Sequence, residues 1–189
     1  MGINLQKGQK INVGHTNVTI GLGWKSNEGT GHQFDLDCSV FMLNEFKKIP
    51  TEGNFVFYGN ATSPDGAVVH SGDNRTGAGE GDDEKIKVDI SKLDGSVKEL
   101  LFVVTIDQAA ARGQNFGQVR ESYIRIINNE DGSEIAKYDL DEDFSIETAV
   151  EFGRIYQKDG VWKFDASGVP YREDLAFFVS KYFDGPFTR

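Results

Sequence analysis

The residues best suited to chemistry lie in one acidic, glycine-rich segment, residues 71–84. Packing carboxylates closely costs free energy unless a cation lies among them, and dense carboxylate oxygens favour calcium or magnesium over zinc or copper. Calcium suits an irregular loop better than magnesium, and the glycines let backbone carbonyls turn inward as well. The segment therefore predicts a calcium-binding loop, with a solvated, flexible acidic loop as the alternative. Its carboxylates are Asp73, Glu80, Asp82, Asp83 and Glu84.

The segment fits neither an EF-hand nor a phosphate-binding loop. An EF-hand requires glycine at its sixth position, but counting from Asp73 that position is Ala78, and Arg75 fills the third. The carboxylates between the glycines would repel a phosphate. The chain also lacks a Gly-Lys-Ser/Thr motif.

A second pair of carboxylates lies in a predicted strand, residues 34–43. Because side chains alternate along a strand, Asp35 and Asp37 share one face, which continues with the apolar Phe41 and Leu43. Two carboxylates on an otherwise buried face are costly unless they are paired or ligate a metal. Pairing with Lys or Arg is one interpretation, and metal ligation at the end of the sheet is the sharper one.

The elements that must position these residues are mostly strands. Short β-branched and aromatic segments separated by Gly, Asn and Asp predict a mainly β protein, a β-sandwich of two facing sheets in a single domain, residues 1–189. Residues 100–106 are nearly all apolar and predict a central strand covered on both faces. The predicted strands are 18–24, 34–43, 54–58, 85–90, 100–106, 122–127, 134–140, 149–157 and 161–164.

Local signals predict one tight turn and little helix. Lys158-Asp159-Gly160 predicts a hairpin turn between the last two strands. Apolar residues at helical spacing predict a short amphipathic C-terminal helix over residues 172–182, and residues 108–114 predict at most a helical turn.

Composition narrows the function classes. The net charge of −10 and the pI near 4.8, without a basic stripe, argue against direct nucleic-acid binding. The single cysteine, Cys38, excludes a disulfide within the chain and a cysteine-based zinc site, and its apolar surroundings predict a buried side chain. We find no signal peptide and no apolar run long enough to span a membrane, so we expect a cytoplasmic protein without a transmembrane segment.

Several motifs together resemble those of the TerD domain family, which is named for tellurium resistance. They are Gly-Leu-Gly-Trp at 21–24, Phe-Asp-Leu-Asp at 34–37, Ser-Pro-Asp-Gly-Ala-Val-Val-His-Ser-Gly-Asp-Asn at 63–74, Gly-Asp-Asp-Glu at 81–84 and Asn-Phe-Gly-Gln-Val at 115–119. The resemblance covers most of the chain and implies a calcium-binding β-sandwich that holds two calcium ions near the acidic loop. It implies ligation by the side chains of Asp35, Asp37, Asp73, Asn74, Asp82, Asp83 and Glu84 and by carbonyls of Gly77, Gly79 or Gly81.

The resemblance also implies a role in stress response and tellurium resistance. We expect calcium-dependent interaction with other proteins of a stress-resistance system, with membrane-associated complexes among the candidate partners. The alternatives are a metal-dependent hydrolase or phosphotransfer enzyme that uses the same carboxylates, and a calcium ion that only stabilises the fold. Catalysis needs a base near an open coordination position, for which His70 and Asp107 are the candidates. No other catalytic motif is present, which favours a binding protein over an enzyme.

A second acidic group follows the predicted strand at 134–140. It consists of Asp139, Asp141, Glu142 and Asp143, and because it lacks glycine we interpret it as solvated.

Overall fold

The computed structural model describes residues 2–29, 31–140 and 144–188, which contain many short strands and two short α-helices. The helices are α1 (Ala109–Arg112) and α2 (Leu175–Tyr182), and single 3-10 turns lie at Glu52–Asn54 and Ile90–Lys92. The strands are β1 (Ile3–Asn4), β2 (Lys10–Asn12), β3 (Asn17–Lys25), β4 (Leu36–Leu43), β5 (Phe55–Val56), β6 (Val68–His70), β7 (Glu84–Asp89), β8 (Glu99–Ile106), β9 (Arg120–Asn128), β10 (Glu134–Asp139), β11 (Ala149–Lys158), β12 (Val161–Asp165) and β13 (Val169–Tyr171).

The strands form two facing sheets, which confirms the predicted β-sandwich. The first sheet has the order β1-β10-β9-β3-β7-β6, and the second has the order β2-β12-β11-β8-β4-β5, with β13 added beside β11. Neighbouring strands pair antiparallel, apart from the parallel pair of β1 and β10. Side chains alternate accordingly: Ile86 and Val88 of β7 are buried, whereas Lys85 and Lys87 are exposed.

The central strand of the second sheet, β8, is buried along its whole length, as its apolar sequence predicts. One of its faces packs into the core between the sheets, and the other lies under α2. The predicted C-terminal helix begins at Leu175 rather than at Arg172, because the Asp174 side chain accepts a hydrogen bond from the Phe177 amide (3.1 Å) and caps it.

The predicted hairpin between β11 and β12 is confirmed. Lys158 pairs with Val161, and the two turn residues Asp159 and Gly160 have φ values of 53° and 76°. Positive φ at both central residues is the geometry that Asp-Gly favours in a two-residue hairpin. By contrast, β1, β2, β6 and β13 were not predicted, because two or three residues are too few to show strand periodicity.

Both sulfur atoms in the described residues lie in the core between the sheets. Cys38 is a free thiol with 2% exposure, and Met42 is fully buried. Burial raises the pKa of the Cys38 thiol well above its ordinary value. Cys38 is thus the buried apolar residue that the sequence predicts.

Within residues 2–29, 31–140 and 144–188, neither helix has the length and apolar character needed to cross a lipid bilayer.

Candidate metal centre

Three carboxylates from two distant segments meet at one end of the second sheet. Asp35 immediately precedes β4, Asp37 lies on β4, and Asp73 lies on the loop between β6 and β7. One oxygen from each side chain can be chosen so that all three lie within 4.8 Å of one another. Asp35 and Asp37 are 5% and 6% exposed, whereas Asp73 is exposed, so the cluster runs from the protein interior to solvent.

The cluster holds more negative charge than its surroundings compensate. Burial raises the pKa of Asp37 to about 8, with further contributions from Glu84, Asp35 and Asp73. Burial also raises the pKa of Asp35, and the charges of Asp107 and Asp73 add to this effect. Like charges and desolvation both disfavour ionised carboxylates, so a cation among them would relieve both costs.

One buried oxygen of the cluster has no hydrogen-bond partner. Asp35 Oδ1 is such an atom among the described residues. The other oxygen, Oδ2, lies 3.6 Å from Nε of Arg75, whose side chain is 69% exposed. An exposed arginine at this distance screens the carboxylate only weakly. The buried oxygen therefore remains available to a ligand.

Glu84 lies behind the cluster and is itself buried. Its Oε2 accepts a hydrogen bond from the Cys38 amide (2.7 Å) and lies 3.6 Å from His70 Nε2. Its Oε1 has no hydrogen-bond partner among the described residues, and burial raises its pKa. Glu84 therefore has one oxygen fixed by the strand and one that is free.

Asn74 and Asp83 tie the acidic loop to itself and to β3. Asn74 Oδ1 accepts hydrogen bonds from the amides of Thr76 and Gly77 (both 3.2 Å), and Nδ2 donates to Asp83 Oδ1 (2.7 Å). Asp83 Oδ2 accepts a hydrogen bond from the Trp24 amide (3.0 Å). Both side chains thus have partners within the protein, and neither belongs to the group of three carboxylates.

Asp82 points away from the cluster, onto the outer face of the first sheet. It forms a two-pronged ion pair with Arg125, with Nε to Oδ1 at 2.7 Å and Nη2 to Oδ2 at 3.1 Å. The structure thus gathers Asp35, Asp37 and Asp73, places Glu84 behind them, and leaves Asp82 elsewhere. In the described residues Asp35, Asp37 and Asp73 form the one group of three or more His, Cys, Asp or Glu side chains that could hold a metal ion.

The loop glycines have the backbone freedom that the sequence suggests. Gly77, Gly79 and Gly81 have φ values of 64°, 144° and 89°, which glycine adopts readily. A Cβ on Gly77 would lie 2.4 Å from Nε1 of Trp24, so this glycine also permits close packing. The three glycines line one side of a surface cavity of about 640 Å³, which also contacts Trp24 and Tyr123.

Sequence reasoning missed Tyr58 as a neighbour of the cluster and treated Asp107 only as a candidate base. The negative charges of Asp37 and Asp107 contribute to raising the pKa of Tyr58, after burial. Asp107 lies 3.6 Å from Arg112 Nη2. Asp37, Tyr58 and Asp107 line a cavity of about 510 Å³ that extends to Arg172. Asp37 pairs with Thr105 in the sheet, so Asp107, two residues further along the chain, lies at the same end of the sheet. Pairing these two strands in the sequence analysis would have placed Asp107 beside the cluster.

The second acidic group is only partly visible. Asp139 Oδ1 pairs with Lys137 Nζ at 2.7 Å. Asp141, Glu142 and Asp143 lie outside the described residues.

The fold and the site together define a class of protein: a β-sandwich with a cluster of carboxylates at one end of a sheet. Residues 1–182 match the TerD domain, and the chain belongs to the TerD domain family.

Curated relatives extend over nearly the whole chain. General stress protein 16U of Bacillus subtilis (strain 168) is 48% identical over 188 residues, which cover 96% of this chain and 97% of the relative. Tellurium resistance protein TerD of Alcaligenes sp is 44% identical over 187 residues, with the same coverage of 96% and 97%. These names describe resistance and stress response, and neither denotes an enzyme.

A solved structure supports the fold. The crystal structure of a homologue of telluride resistance protein (TerD) from Streptomyces coelicolor A3(2) superimposes with a TM-score of 0.73 at 19% identity. The superposition covers 87% of this chain and 95% of that one.

Proposed function

We propose that this protein binds calcium through Asp35, Asp37 and Asp73 and acts in stress or tellurium resistance through calcium-dependent interaction with partner proteins. The observation that carries the proposal is the meeting of these three carboxylates within 4.8 Å, with the buried Asp35 Oδ1 lacking a hydrogen-bond partner. The resistance setting is supported by family membership and by the names of the relatives.

The ligand chemistry favours calcium. Three carboxylates form a hard oxygen site, which selects calcium or magnesium over softer metals. Calcium takes six to eight oxygens in flexible geometry. Glu84 Oε1 is a further buried oxygen without a hydrogen-bond partner in the described part of the chain, and loop carbonyls and water would complete the shell. Calcium bound here would offset both the burial and the neighbouring charges that together raise the pKa of Asp37 to about 8.

The arrangement supports binding better than catalysis. A general base must reach the substrate, directly or through one water. His70, a candidate base, is 4% exposed, and its Nε2 faces Glu84 inside the protein. The carboxylate of Asp107, the other candidate, is engaged by Arg112, whose Nη2 lies 3.6 Å from Oδ2.

An interaction role is supported by the place of the cluster at the surface. Asp73 lies on an exposed loop, so calcium would neutralise part of a surface segment that is otherwise strongly acidic. The cavity beside Asp37 gives a partner group access to the same end of the sheet. Partners recognised in this way would bind only when calcium is present.

Thermal unfolding of the chelator-treated protein tests calcium binding. Free calcium at about 100 times Kd should stabilise the wild type by about 2.7 kcal/mol, and magnesium should stabilise it less. Asp35→Asn and Asp37→Asn should abolish the shift. Glu80→Gln is the matched control, because Glu80 is an exposed carboxylate of the same loop outside the cluster. No calcium-dependent shift in the wild type, or an equal loss in Glu80→Gln, would refute the site.

Partner recognition requires a separate comparison. Proteins retained by the immobilised chain should differ between a buffer with calcium and a buffer with chelator. In either buffer, Asp37→Asn should retain only those proteins that the wild type retains in chelator. Circular dichroism of the metal-free protein distinguishes calcium-dependent partner recognition from a purely stabilising role. If calcium only stabilises the fold, the metal-free protein should lose secondary structure.

A further inference from the structure

The Asp82 carboxylate is held by the outer face of the first sheet. Its side chain is 1% exposed, and the Arg125 guanidinium meets both of its oxygens, at 2.7 Å and 3.1 Å. The Tyr123 hydroxyl donates to Oδ1 at 3.2 Å. Two-pronged, charge-assisted contacts of this kind fix both the position and the orientation of a carboxylate.

Two glycines of β3 make room for this contact. Gly21 pairs with Arg125, and Gly23 pairs with Tyr123, on the neighbouring strand β9. A Cβ on Gly21 would lie 2.5 Å from Asp82 Cγ, and one on Gly23 would lie 2.5 Å from Tyr123 Cζ. A Cβ at Gly21 would therefore displace the Asp82 side chain from this contact.

The same loop reaches the metal cluster at its other end. Asp73 joins Asp35 and Asp37 there, while Asp83, the residue after Asp82, binds the Trp24 amide. The Trp24 indole in turn donates from Nε1 to the Phe34 carbonyl at 3.0 Å, next to Asp35. Trp24 therefore links the loop, through its backbone amide, to the segment that carries Asp35, through its indole.

We infer that Arg125, through its ion pair with Asp82, is a positioning residue that anchors the loop and places Asp73 against Asp35 and Asp37 before a cation arrives. Asp82 then acts as an anchor rather than as a metal ligand. The three carboxylates repel one another, so Asp73 would move away from the other two if the loop were free. A loop that is already ordered loses less conformational freedom when the cation binds, which strengthens binding.

The ordering part of this inference can be measured without any metal. Amide hydrogen exchange of the loop between β6 and β7 should accelerate at least tenfold in metal-free Arg125→Met, while the amides of β8 remain protected. Arg125→Lys keeps the charge but not the two-pronged fork, so it should restore protection only in part. The matched control is Lys87→Met, which removes an exposed positive charge from the same face of the sheet and should change nothing. Unchanged loop exchange in Arg125→Met would overturn the anchor.

The cation part rests on the proposed function and is measured by calcium titration calorimetry. Arg125→Met, confirmed as folded by its metal-free melting curve, should weaken calcium binding at least tenfold, which corresponds to about 1.4 kcal/mol. A residue that only stabilised the fold would lower the melting temperature and leave the Kd unchanged. A Kd within about twofold of the wild type would therefore refute the positioning role.

A double-mutant cycle separates an anchor from a ligand. If Asp82 acts through Arg125, then Asp82→Asn should weaken calcium binding in the wild type but have little further effect in Arg125→Met. An equal effect in both backgrounds would identify Asp82 as a direct ligand and overturn the inference. If Arg125→Met fails to fold, two other variants replace it in these measurements. One is Tyr123→Phe, and the other is the double variant Asp82→Asn/Arg125→Met, which leaves no unpaired buried charge. If the wild type binds no cation, the proposed function fails, and the exchange experiment still decides whether the anchor exists.

Discussion

Among the described residues, two groups of buried carboxylates differ in how their charge is compensated. On the second sheet, Glu99 and Asp165 are each 5% exposed, and one guanidinium serves both. Arg154 Nη1 lies 3.1 Å from Glu99 Oε2, and Nη2 lies 3.1 Å from Asp165 Oδ2. Lys47 and Lys10 add further ion pairs to these two carboxylates.

Asp35 and Asp37, the two buried members of the cluster, are equally sheltered but lack such compensation. Arg75, whose Nε lies 3.6 Å from Asp35 Oδ2, is mostly exposed, and one buried oxygen of Asp35 has no hydrogen-bond partner among the described residues. Buried charges are ordinarily paired or bound to a metal. The paired site therefore shows how the fold compensates buried carboxylates by itself, whereas Asp35 and Asp37 lack comparable partners, which is consistent with the proposed calcium site.

The largest expected effect lies in the paired site. Arg154→Met leaves Glu99 and Asp165 with incomplete compensation and should lower the free energy of unfolding by about 3–5 kcal/mol, whether or not calcium is present. Urea unfolding with calcium and with chelator measures both values. Lys10→Met is the control, because Lys10 is 55% exposed and lies 3.9 Å from Asp165, so its loss should cost under about 1 kcal/mol. A small effect of Arg154→Met would remove the contrast between the two sites.

The opposite sign is expected in the cluster. Asp37, whose pKa is raised to about 8, takes up a proton when the metal-free protein folds at neutral pH, whereas Asn does not. Asp37→Asn should therefore stabilise the metal-free protein at neutral pH, by up to about 4 kcal/mol. The same change should abolish stabilisation by calcium. Destabilisation of the metal-free protein by Asp37→Asn would show that the aspartate contributes to the fold itself.

The stability of the metal-free protein should also depend on pH. The pKa of Asp37 is raised from 3.8 to about 8 on folding, so the folded state binds the extra proton between these values. The contribution to stability is complete below the lower pKa and is lost as pH rises toward the upper one, by up to about 4 kcal/mol between about pH 5 and about pH 8. Denaturant unfolding in chelator across this range measures the slope, which Asp37→Asn should flatten. Calcium should reverse it, because the cation binds the ionised carboxylates.

The smallest effect is expected from Arg75, the exposed cation beside the cluster. Arg75→Gln should change the free energy of unfolding of the metal-free protein by less than about 0.5 kcal/mol, because exposed ion pairs contribute little. It should tighten calcium binding about two- to fivefold, since it removes a positive charge near the cation. Weaker calcium binding in this variant, measured by titration calorimetry, would mean that Arg75 orders the loop instead.

Much of the fold was predictable because its strands carry strong local signals. The apolar run of β8 and the Asp-Gly turn before β12 each specify their structure within a few residues. The shared face of Asp35 and Asp37 follows from strand alternation alone, and their meeting with Asp73 agrees with the predicted link to the acidic loop.

The candidate site was only partly predictable, because its remaining contacts depend on distant pairing. Asp82 and Asp83 are adjacent, yet one binds Arg125 on β9 and the other binds the Trp24 amide on β3. Nothing in a run of carboxylates indicates which of them a distant arginine will meet. The glycines at 21 and 23, which leave space over the sheet, were the one local sign that something packs there.

The burial of Cys38 and Met42 also affects how readily oxidants can modify sulfur atoms in the folded protein. Thiols react as thiolates, and oxidation requires that the oxidant reach the sulfur atom. The Cys38 thiol is buried and its pKa is raised, so it meets neither condition. Met42 is fully buried in the same core. Oxidants and electrophiles that modify exposed sulfur therefore find no accessible sulfur atom among the described residues.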